Sequence, residues 1–309
     1  MVAVAPAAGR TIVIAPFVTR FAPSPNGELH LGHALSAITG FELAARENGR
    51  FLLRMEDIDI QRTREEHVTH ILEDLRWLGL TWEEPVLRQS TRFPAYRAAA
   101  QSLLERGLLY PCFATRSEVD AAVVIDPTGT DPDGAPLYPG LCKHLQPREI
   151  ERRRANGEPF CLRLDMDRAL KAAYDHRKGA PLTFREWNTE PKSSPEVIAA
   201  NPSRWGDAII FRKDTPASYH LAVVLDDAMQ GVSHVVRGRD LFAATDLHRL
   251  LQVLLGLPEP TYHHHRLLLD PAGRKLSKSL RHTSLQAMRA SGANPSDIRT
   301  DLARALNTD

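Results

Sequence analysis

The segment RFAPSPNGELHLGH, residues 20–33, decides the fold that the sequence predicts. The run at 11–21 is rich in β-branched and aromatic residues, which predicts a buried first strand. A turn rich in proline and glycine follows at 23–27, and residues 31–47 have the apolar spacing of a helix. The segment therefore places HLGH where a strand gives way to a helix N-terminus, which is a preferred position for phosphate in α/β folds.

The alternation of strands and helices continues and predicts an α/β fold. A second strand is expected at 51–55, and helices at 62–79 and 91–106. After an irregular region, the alternation resumes with a strand at 207–211 and a helix at 241–255. We expect a doubly wound parallel sheet of the Rossmann type, interrupted by an inserted small domain. The predicted parts are a flexible N-terminal tail at 1–17, the first half of the sheet domain at 18–109, an insertion at 110–205, the second half at 206–270, and a loop with a short C-terminal helical segment at 271–309.

The overall composition is that of an ordinary globular protein. Hydrophobic residues make up 43% of the 309 residues and charged residues 25%, with 39 basic against 38 acidic residues. Global charge therefore does not indicate a nucleic-acid partner, so any RNA must meet a local basic face. Three cysteines are too few for a disulfide framework, and no apolar run reaches the roughly 20 residues that span a bilayer. We expect a cytoplasmic monomer with no DNA or membrane partner.

A second basic segment, KLSKS at 275–279, complements HLGH. Its lysines, Lys275 and Lys278, follow a predicted strand near 263–269 and can neutralise a triphosphate as charge builds in the transition state. His30 and His33 can donate hydrogen bonds to the same phosphates. Gly32 removes a side chain where a nucleotide must approach closely. Each segment alone is compatible with a solvated surface, whereas the two together, in this order, predict an ATP site.

Several segments in order resemble the class I aminoacyl-tRNA synthetases, within their glutamyl branch. They are RFAPSPNGELHLGH (20–33), LLRMEDID (52–59), YHLAVVLDD (219–227), GVSHVVRGRDL (231–241) and KLSKS (275–279). The resemblance implies a class I synthetase fold and ATP with Mg²⁺, whose α-phosphate is attacked by a carboxylate to give an acyl-adenylate. It assigns catalysis to His30, His33, Lys275 and Lys278, and ATP binding to His30, Gly32, His33 and Lys278.

The same segments carry the charges that a glutamate substrate requires. Two carboxylates and one ammonium call for two cationic contacts and one anionic contact, which Arg20, Arg237 and Glu56 can supply. Taken one at a time, these residues are equally compatible with ordinary ion pairs at strand ends. The resemblance assigns glutamate binding to Arg20, Phe21, Ala22, Pro23, Ser24, Glu56, Tyr219 and Arg237.

The predicted insertion holds part of a zinc-binding pattern. The family commonly has Cys-x-Cys followed by Tyr-x-x-x-Cys, and here Cys112, Tyr138 and Cys142 match while Ala114 replaces a cysteine. Structural zinc takes four ligands. His144 or Cys161 could complete the set, but we expect buried structural cysteines rather than a zinc centre. A further cluster, His263 to His265, is interpreted as part of a strand near the ATP site.

The acceptor of the activated glutamate follows from the resemblance and from the length of the chain. Only residues 280–309 follow KLSKS, so we expect no anticodon-binding domain. The resemblance then implies the short members of the branch, which attach glutamate to queuosine in the anticodon loop of tRNA(Asp). Residues 152–154 and 171–178 could contact phosphates. The alternatives are a truncated enzyme that charges the 3′ end of tRNA(Glu), a non-catalytic paralogue that binds tRNA or amino acid, and a nucleotidyltransferase with the same fold.

Overall fold

A computed structural model of the chain describes residues 16–188, 193–268 and 284–307. The greater part of the predicted tail lies outside the described residues, as do Lys275 and Lys278 of the KLSKS segment. The strands are β1 (Val18–Phe21), β2 (Arg50–Met55), β3 (Glu83–Arg88), β4 (Leu109–Cys112), β5 (Cys161–Leu164), β6 (Thr183–Glu186), β7 (Glu196–Ala199), β8 (Ile209–Phe211), β9 (His234–Gly238) and β10 (Thr261–His265). The helices are α1 (Leu31–Arg46), α2 (Glu65–Trp77), α3 (Phe93–Glu105), α4 (Arg116–Ile125), α5 (Pro147–Ala155), α6 (Met166–His176), α7 (Tyr219–Met229), α8 (Ala244–Leu255), α9 (Leu285–Ala290) and α10 (Pro295–Asn307).

Two parallel groups of strands lie side by side and confirm the predicted α/β class. In the first, β1, β2 and β3 are parallel in that order; in the second, β9, β10 and β6 are parallel and β7 joins β6 antiparallel. The groups meet at β1, because Ser233, just before β9, donates its N–H to Val18 O at 3.0 Å. The strand order therefore runs outward in both directions from β1 and β9. In open α/β sheets such a switch point forms a ligand crevice at the carboxyl ends of the strands.

The region predicted as an insertion contributes to two different sheets. β4 and β5 form an antiparallel sheet with β8, which lies beyond the predicted boundary at 205. β6 and β7, inside that boundary, pair instead with the sheet of β9 and β10. Local sequence identifies the strands, but pairing partners are set by contacts between distant residues. An inserted domain over 110–205 stays a prediction.

The last two helices pack against the first half of the chain. Leu285 of α9 and Leu302 of α10 are buried in one apolar cluster with the core side of α1 and α2. The backbone N–H of Leu285 also donates to Leu29 O at 2.9 Å, directly before α1. The chain that follows the KLSKS segment therefore returns to the start of α1. None of the helices in the described ranges combines the length and apolar character that crossing a bilayer requires.

Candidate active site

A cavity of about 420 Å³ opens at the switch point, where β1, β2, β9 and β10 end. Its size lies within the range typical of small-ligand sites. The structure brings into its lining most of the residues that the sequence predicted to form the site. They are Arg20, Phe21, Ala22, Pro23, Ser24, His30, Gly32, His33, Glu56, Tyr219 and Arg237.

His30 and His33 form the N-terminal cap of α1 and face each other with ring centroids 3.8 Å apart. Nδ1 of His30 accepts from the N–H of Gly32, and Nδ1 of His33 accepts from the N–H of His30, both at 3.1 Å. A neutral imidazole that accepts at Nδ1 carries its proton on Nε2. Both rings therefore have an N–H donor at Nε2, at a helix end that already favours anions.

Gly32 has a local role that sequence reasoning did not identify. A Cβ at this position would lie 3.0 Å from Cε1 of His30, which is a tight contact. The absent side chain therefore makes room for the imidazole that caps α1. The prediction that a nucleotide uses this space stays a prediction.

Four buried or nearly buried charges form a compact cluster at one side of the cavity. Asp227 Oδ1 accepts from Arg20 Nε at 3.0 Å and from Arg54 Nη1 at 2.8 Å. Arg54 Nη2 also lies 3.4 Å from Glu56 Oε1. Burial alone would raise the pKa of Asp227, but Arg20 and Arg54 overcome this effect and lower it. Burial dominates at Glu56 and raises its pKa against the attraction of Arg54 and Arg20.

Arg237 is buried but forms no salt bridge with any residue in the described ranges. Its nitrogens donate to uncharged groups instead: Nε to His264 Nε2 at 3.0 Å, Nη1 to His248 Nδ1 at 3.1 Å, and Nη2 to Thr245 Oγ1 at 2.7 Å. Burial, together with the charge of Arg237, lowers the pKa of His264 to about 2 and that of His248 well below its ordinary value. Both rings are therefore neutral, and within the part of the chain that the structure describes no ion pair compensates the positive charge of Arg237.

Tyr219 begins α7 at the wall of the cavity. Its ring contacts His248 edge-on, with centroids 5.5 Å apart, and Ser218 caps the helix by accepting the N–H of Leu221. Burial raises the pKa of the Tyr219 hydroxyl, so this group is a neutral hydrogen-bonding group at physiological pH. The phenol can thus contact a ligand without adding charge.

Five residues of this site were not singled out as site residues from the sequence. Arg54 lies in a strand whose other residues from 51 to 55 are apolar. Thr245, His248 and Asp227 lie on helices that were identified only by their apolar spacing. His264 belongs to the histidine cluster that was predicted to be a strand near the ATP site, and β10 confirms the strand. The available signal was charge in an apolar setting, because a buried arginine or aspartate needs a partner.

The predicted zinc ligands do not form a metal site. No group of three or more His, Cys, Asp or Glu in the described ranges is arranged to hold a metal ion. The Tyr138 hydroxyl lies 3.2 Å from Cys112 Sγ and accepts the N–H of Cys142 at 2.8 Å. Cys161 and Ala114 pack in the same cluster, and the guanidinium of Arg163 lies 3.7 Å from the centre of the Tyr138 ring. The residues present therefore suit a buried structural cluster and not a four-ligand zinc centre.

Three of the basic residues predicted to contact tRNA phosphates form ion pairs within the chain. Arg152 forms an ion pair with Glu149 and Arg153 with Glu158, each at 2.7 Å. Lys171 pairs with an aspartate one helical turn away, also at 2.7 Å. Their charge is therefore partly compensated within the chain, and a role in RNA binding stays a prediction.

Comparisons with known proteins agree with this arrangement. The family model "tRNA synthetases class I (E and Q), catalytic domain" matches residues 16–308. The chain is 46% identical to a Glutamyl-Q tRNA(Asp) synthetase of Rhodobacter capsulatus, over 91% of this chain and 98% of that protein. It is 38% identical to a glutamate–tRNA ligase of Aquifex aeolicus, over 90% of this chain but 54% of that protein.

A solved structure shows the same fold. The glutamate tRNA ligase from Elizabethkingia meningosepticum superimposes with a TM-score of 0.72, covering 93% of this chain and 60% of that one at 24% identity. At this identity the likeness supports the fold alone. The family match nevertheless spans nearly the whole chain. The chain belongs to the class I tRNA synthetases (E and Q), and it is a ligase of the aminoacyl-tRNA synthetase type.

Proposed function

We propose that this protein activates L-glutamate with ATP, forming glutamyl-adenylate and pyrophosphate. The observation that carries the proposal is Arg237, a buried cation without an anionic partner among the described residues, in the same cavity as the carboxylate of Glu56. A buried charge without a counterion is costly unless a ligand supplies one. The site is therefore suited to a substrate that brings a carboxylate to Arg237 and an ammonium to Glu56.

The charge balance favours glutamate over glutamine. Asp240 also lines the cavity but forms no ion pair with Arg237 in the described ranges. The charges of Arg20, Arg54, Asp227 and Glu56 sum to zero, so Arg237 adds one net positive charge to this cluster. Glutamate carries one net negative charge and neutralises it, whereas glutamine carries none. We assign the side-chain carboxylate to Arg237, because the α-carboxylate must stay available to attack phosphorus. Arg20, which also lines the cavity, can support a carboxylate through the nitrogens that Asp227 does not occupy.

ATP is placed at the N-terminus of α1. The Nε2–H groups of His30 and His33 would donate to phosphate oxygens as charge develops on them, supported by the helix dipole. Lys275 and Lys278 are proposed to neutralise the triphosphate, and Mg²⁺ enters with ATP as part of the substrate. No side chain attacks covalently in this scheme, because the glutamate carboxylate is itself the nucleophile and pyrophosphate leaves.

Amino-acid-dependent ATP–pyrophosphate exchange tests the activation step. The assay compares glutamate, glutamine and aspartate, first without tRNA and then with it. We expect exchange with glutamate and little with the other two, since glutamine lacks the charge and aspartate lacks the reach. Equal exchange with glutamine would contradict the role of Arg237, and no exchange under either condition would favour a non-catalytic binding protein.

We further propose that the acceptor is queuosine in the anticodon loop of tRNA(Asp). The support is the relative named Glutamyl-Q tRNA(Asp) synthetase that is 46% identical to this chain. Two others with that name are 38% identical, as is the glutamate–tRNA ligase. Unstacked loop bases are the parts of RNA that proteins most often read. Labelled glutamate should therefore enter tRNA(Asp) that contains queuosine. Equal labelling of tRNA(Asp) without queuosine, or labelling of tRNA(Glu) at its 3′ end, would contradict this acceptor.

A further inference from the structure

Arg237 differs from the other buried arginines of the described ranges. Arg20 and Arg54 share the carboxylate of Asp227, and Arg249 pairs with Glu259 at 2.8 Å. Arg237 is as buried as these residues, yet its partners are a hydroxyl and two imidazoles. In this protein a buried guanidinium is therefore normally neutralised, and Arg237 is the exception.

We propose that Thr245, His248 and His264 are positioning residues that set the substrate preference. They fix the orientation of Arg237 and, because they are uncharged, leave its charge for the side-chain carboxylate of the substrate. The inference rests on the proposed activation of glutamate and adds the residues that make Arg237 selective. We call the three residues the neutral shell.

The neutral shell leaves two N–H donors of Arg237 available to a carboxylate. A guanidinium has five N–H groups. The shell takes one from each nitrogen, so one N–H remains on each of Nη1 and Nη2. Two such donors are what a carboxylate needs for a two-point contact. The face of the Tyr262 ring, 5.3 Å from the Arg237 Cζ atom, supports the cation without neutralising it.

The tautomers of both imidazoles are fixed by partners farther out. His264 Nδ1 lies 2.8 Å from Glu186 Oε2, so it carries the proton and donates to this carboxylate, and Nε2 accepts from Arg237. His248 Nε2 lies 3.1 Å from Nδ1 of His220, which leaves Nδ1 of His248 to accept from Arg237. A histidine whose outer nitrogen is held in this way presents a defined nitrogen to its inner partner. The charge of Glu186 thus reaches Arg237 only across a neutral ring.

Two variants, Thr245→Asp and Thr245→Asn, distinguish the effect of a negative charge beside Arg237 from the effect of side-chain shape. The two side chains have the same size, and only aspartate brings a carboxylate to Arg237 Nη2. The assay is tRNA-independent exchange if the wild type shows it, and exchange with tRNA otherwise. For Thr245→Asp we expect the KM for glutamate to rise about 100-fold with smaller changes in kcat and in the KM for ATP. The preference for glutamate over glutamine should fall as well. For Thr245→Asn we expect a rise in KM of less than about tenfold, because the amide still accepts a hydrogen bond.

A second pair of variants, at His248, provides the same test if the Thr245 variants do not fold. His248→Glu and His248→Gln again differ in charge at nearly equal shape, and circular dichroism with urea unfolding reports whether each variant folds. Equal glutamate KM values for the charged and neutral members of a folded pair would overturn the role of the shell. A wild-type enzyme without glutamate-dependent exchange, with and without tRNA, would instead count against the proposed function. The two failures are therefore distinguishable.

Discussion

Replacing Asp227 by asparagine should both destabilise the protein and weaken glutamate binding. The carboxylate is 8% exposed and accepts from Arg20 at 3.0 Å and from Arg54 at 2.8 Å. Asparagine keeps the shape and one acceptor oxygen but removes the charge, so two buried guanidinium groups lose their shared counterion. Removing one partner of a buried ion pair costs about 3–5 kcal/mol. Since Glu56 remains beside Arg54, we expect the lower end, about 3 kcal/mol in the free energy of unfolding.

Replacing Asp227 by asparagine should also weaken the binding of glutamate. Without Asp227, Arg20 loses the contact that orients it, and Glu56 becomes the main counterion of Arg54 rather than of the substrate ammonium. We expect the KM for glutamate to rise roughly tenfold or more, with a smaller change in the KM for ATP. Urea unfolding and ATP–pyrophosphate exchange measure the two effects separately.

The pH dependence of stability gives a further check on Asp227. Its pKa is lowered in the folded state, so its contribution is present above the unfolded value, near about 3.9, and is lost as pH falls through the folded pKa. The stability difference between wild type and Asp227→Asn should therefore be large at pH 7 and shrink in acid. A difference that stays constant down to strongly acidic pH would contradict this origin.

Asp226 provides a matched control on the same helix. Its carboxylate accepts from Arg92 at 3.0 Å, Gln89 at 2.9 Å and Tyr96 at 2.6 Å. None of these three partners lines the cavity, whereas Asp227 holds Arg20, which does. Asp226→Asn should reduce stability but change the KM for glutamate by less than about twofold, since no substrate contact depends on it. The reasoning is refuted if both variants shift KM alike, or if Asp227→Asn leaves stability and KM unchanged.

Three further expectations follow. His30→Asn should keep the cap of α1 and lower the exchange rate about 100-fold, because asparagine caps helices well but lacks the Nε2–H donor, whereas His30→Ala should also reduce the unfolding free energy by about 1 kcal/mol. Burial raises the pKa of Asp74 from 3.8 to about 6. The contribution of Asp74 to folding stability is therefore fully present below its unfolded pKa and is lost as the pH rises through about 6. Asp74→Asn should remove this decline of about 3 kcal/mol, measured by urea unfolding at pH 4 and pH 7. Treatment with a zinc chelator, followed by return to Mg²⁺, should leave the unfolding midpoint and the exchange rate unchanged, since Cys112 and Tyr138 lie in a cluster that does not form a metal site.

Local sequence patterns predicted the helices of the first half closely. The helix expected at 31–47 is Leu31–Arg46, the one at 62–79 is Glu65–Trp77, and the one at 91–106 is Phe93–Glu105. An amphipathic helix has apolar residues three and four positions apart, so it can be identified from the local sequence without knowing the fold. The strand that begins at Ile209 was also identified, but its partner was not, because β5 is distant in sequence.

Many of the residues that line the candidate site were also predicted from the sequence. One cavity is lined by His30, Gly32 and His33 of the HLGH segment, by the RFAPS segment, and by Glu56, Tyr219 and Arg237. Thr245 and His248 were covered only by the helix predicted at 241–255, because no local signal distinguishes a side chain that holds an arginine from one that fills the core. Gly32 likewise was linked to the nucleotide, whereas its nearest constraint is the imidazole of His30.

By itself, the sequence determined many of the helices and strands, the chemistry of the two segments that are predicted to bind ATP, and the signs of the charges at the candidate site. The tertiary structure alone decided which of those charges are compensated. Arg20 and Arg54 share the carboxylate of Asp227, which lies 207 and 173 positions away along the chain, and Glu56 supplies a second negative charge beside Arg54. Arg237 donates to neutral groups of α8 and β10, and it forms no ion pair within the described ranges. Charge is a property of each residue, but its neutralisation depends on distance in space and on burial, which the packing of remote elements sets.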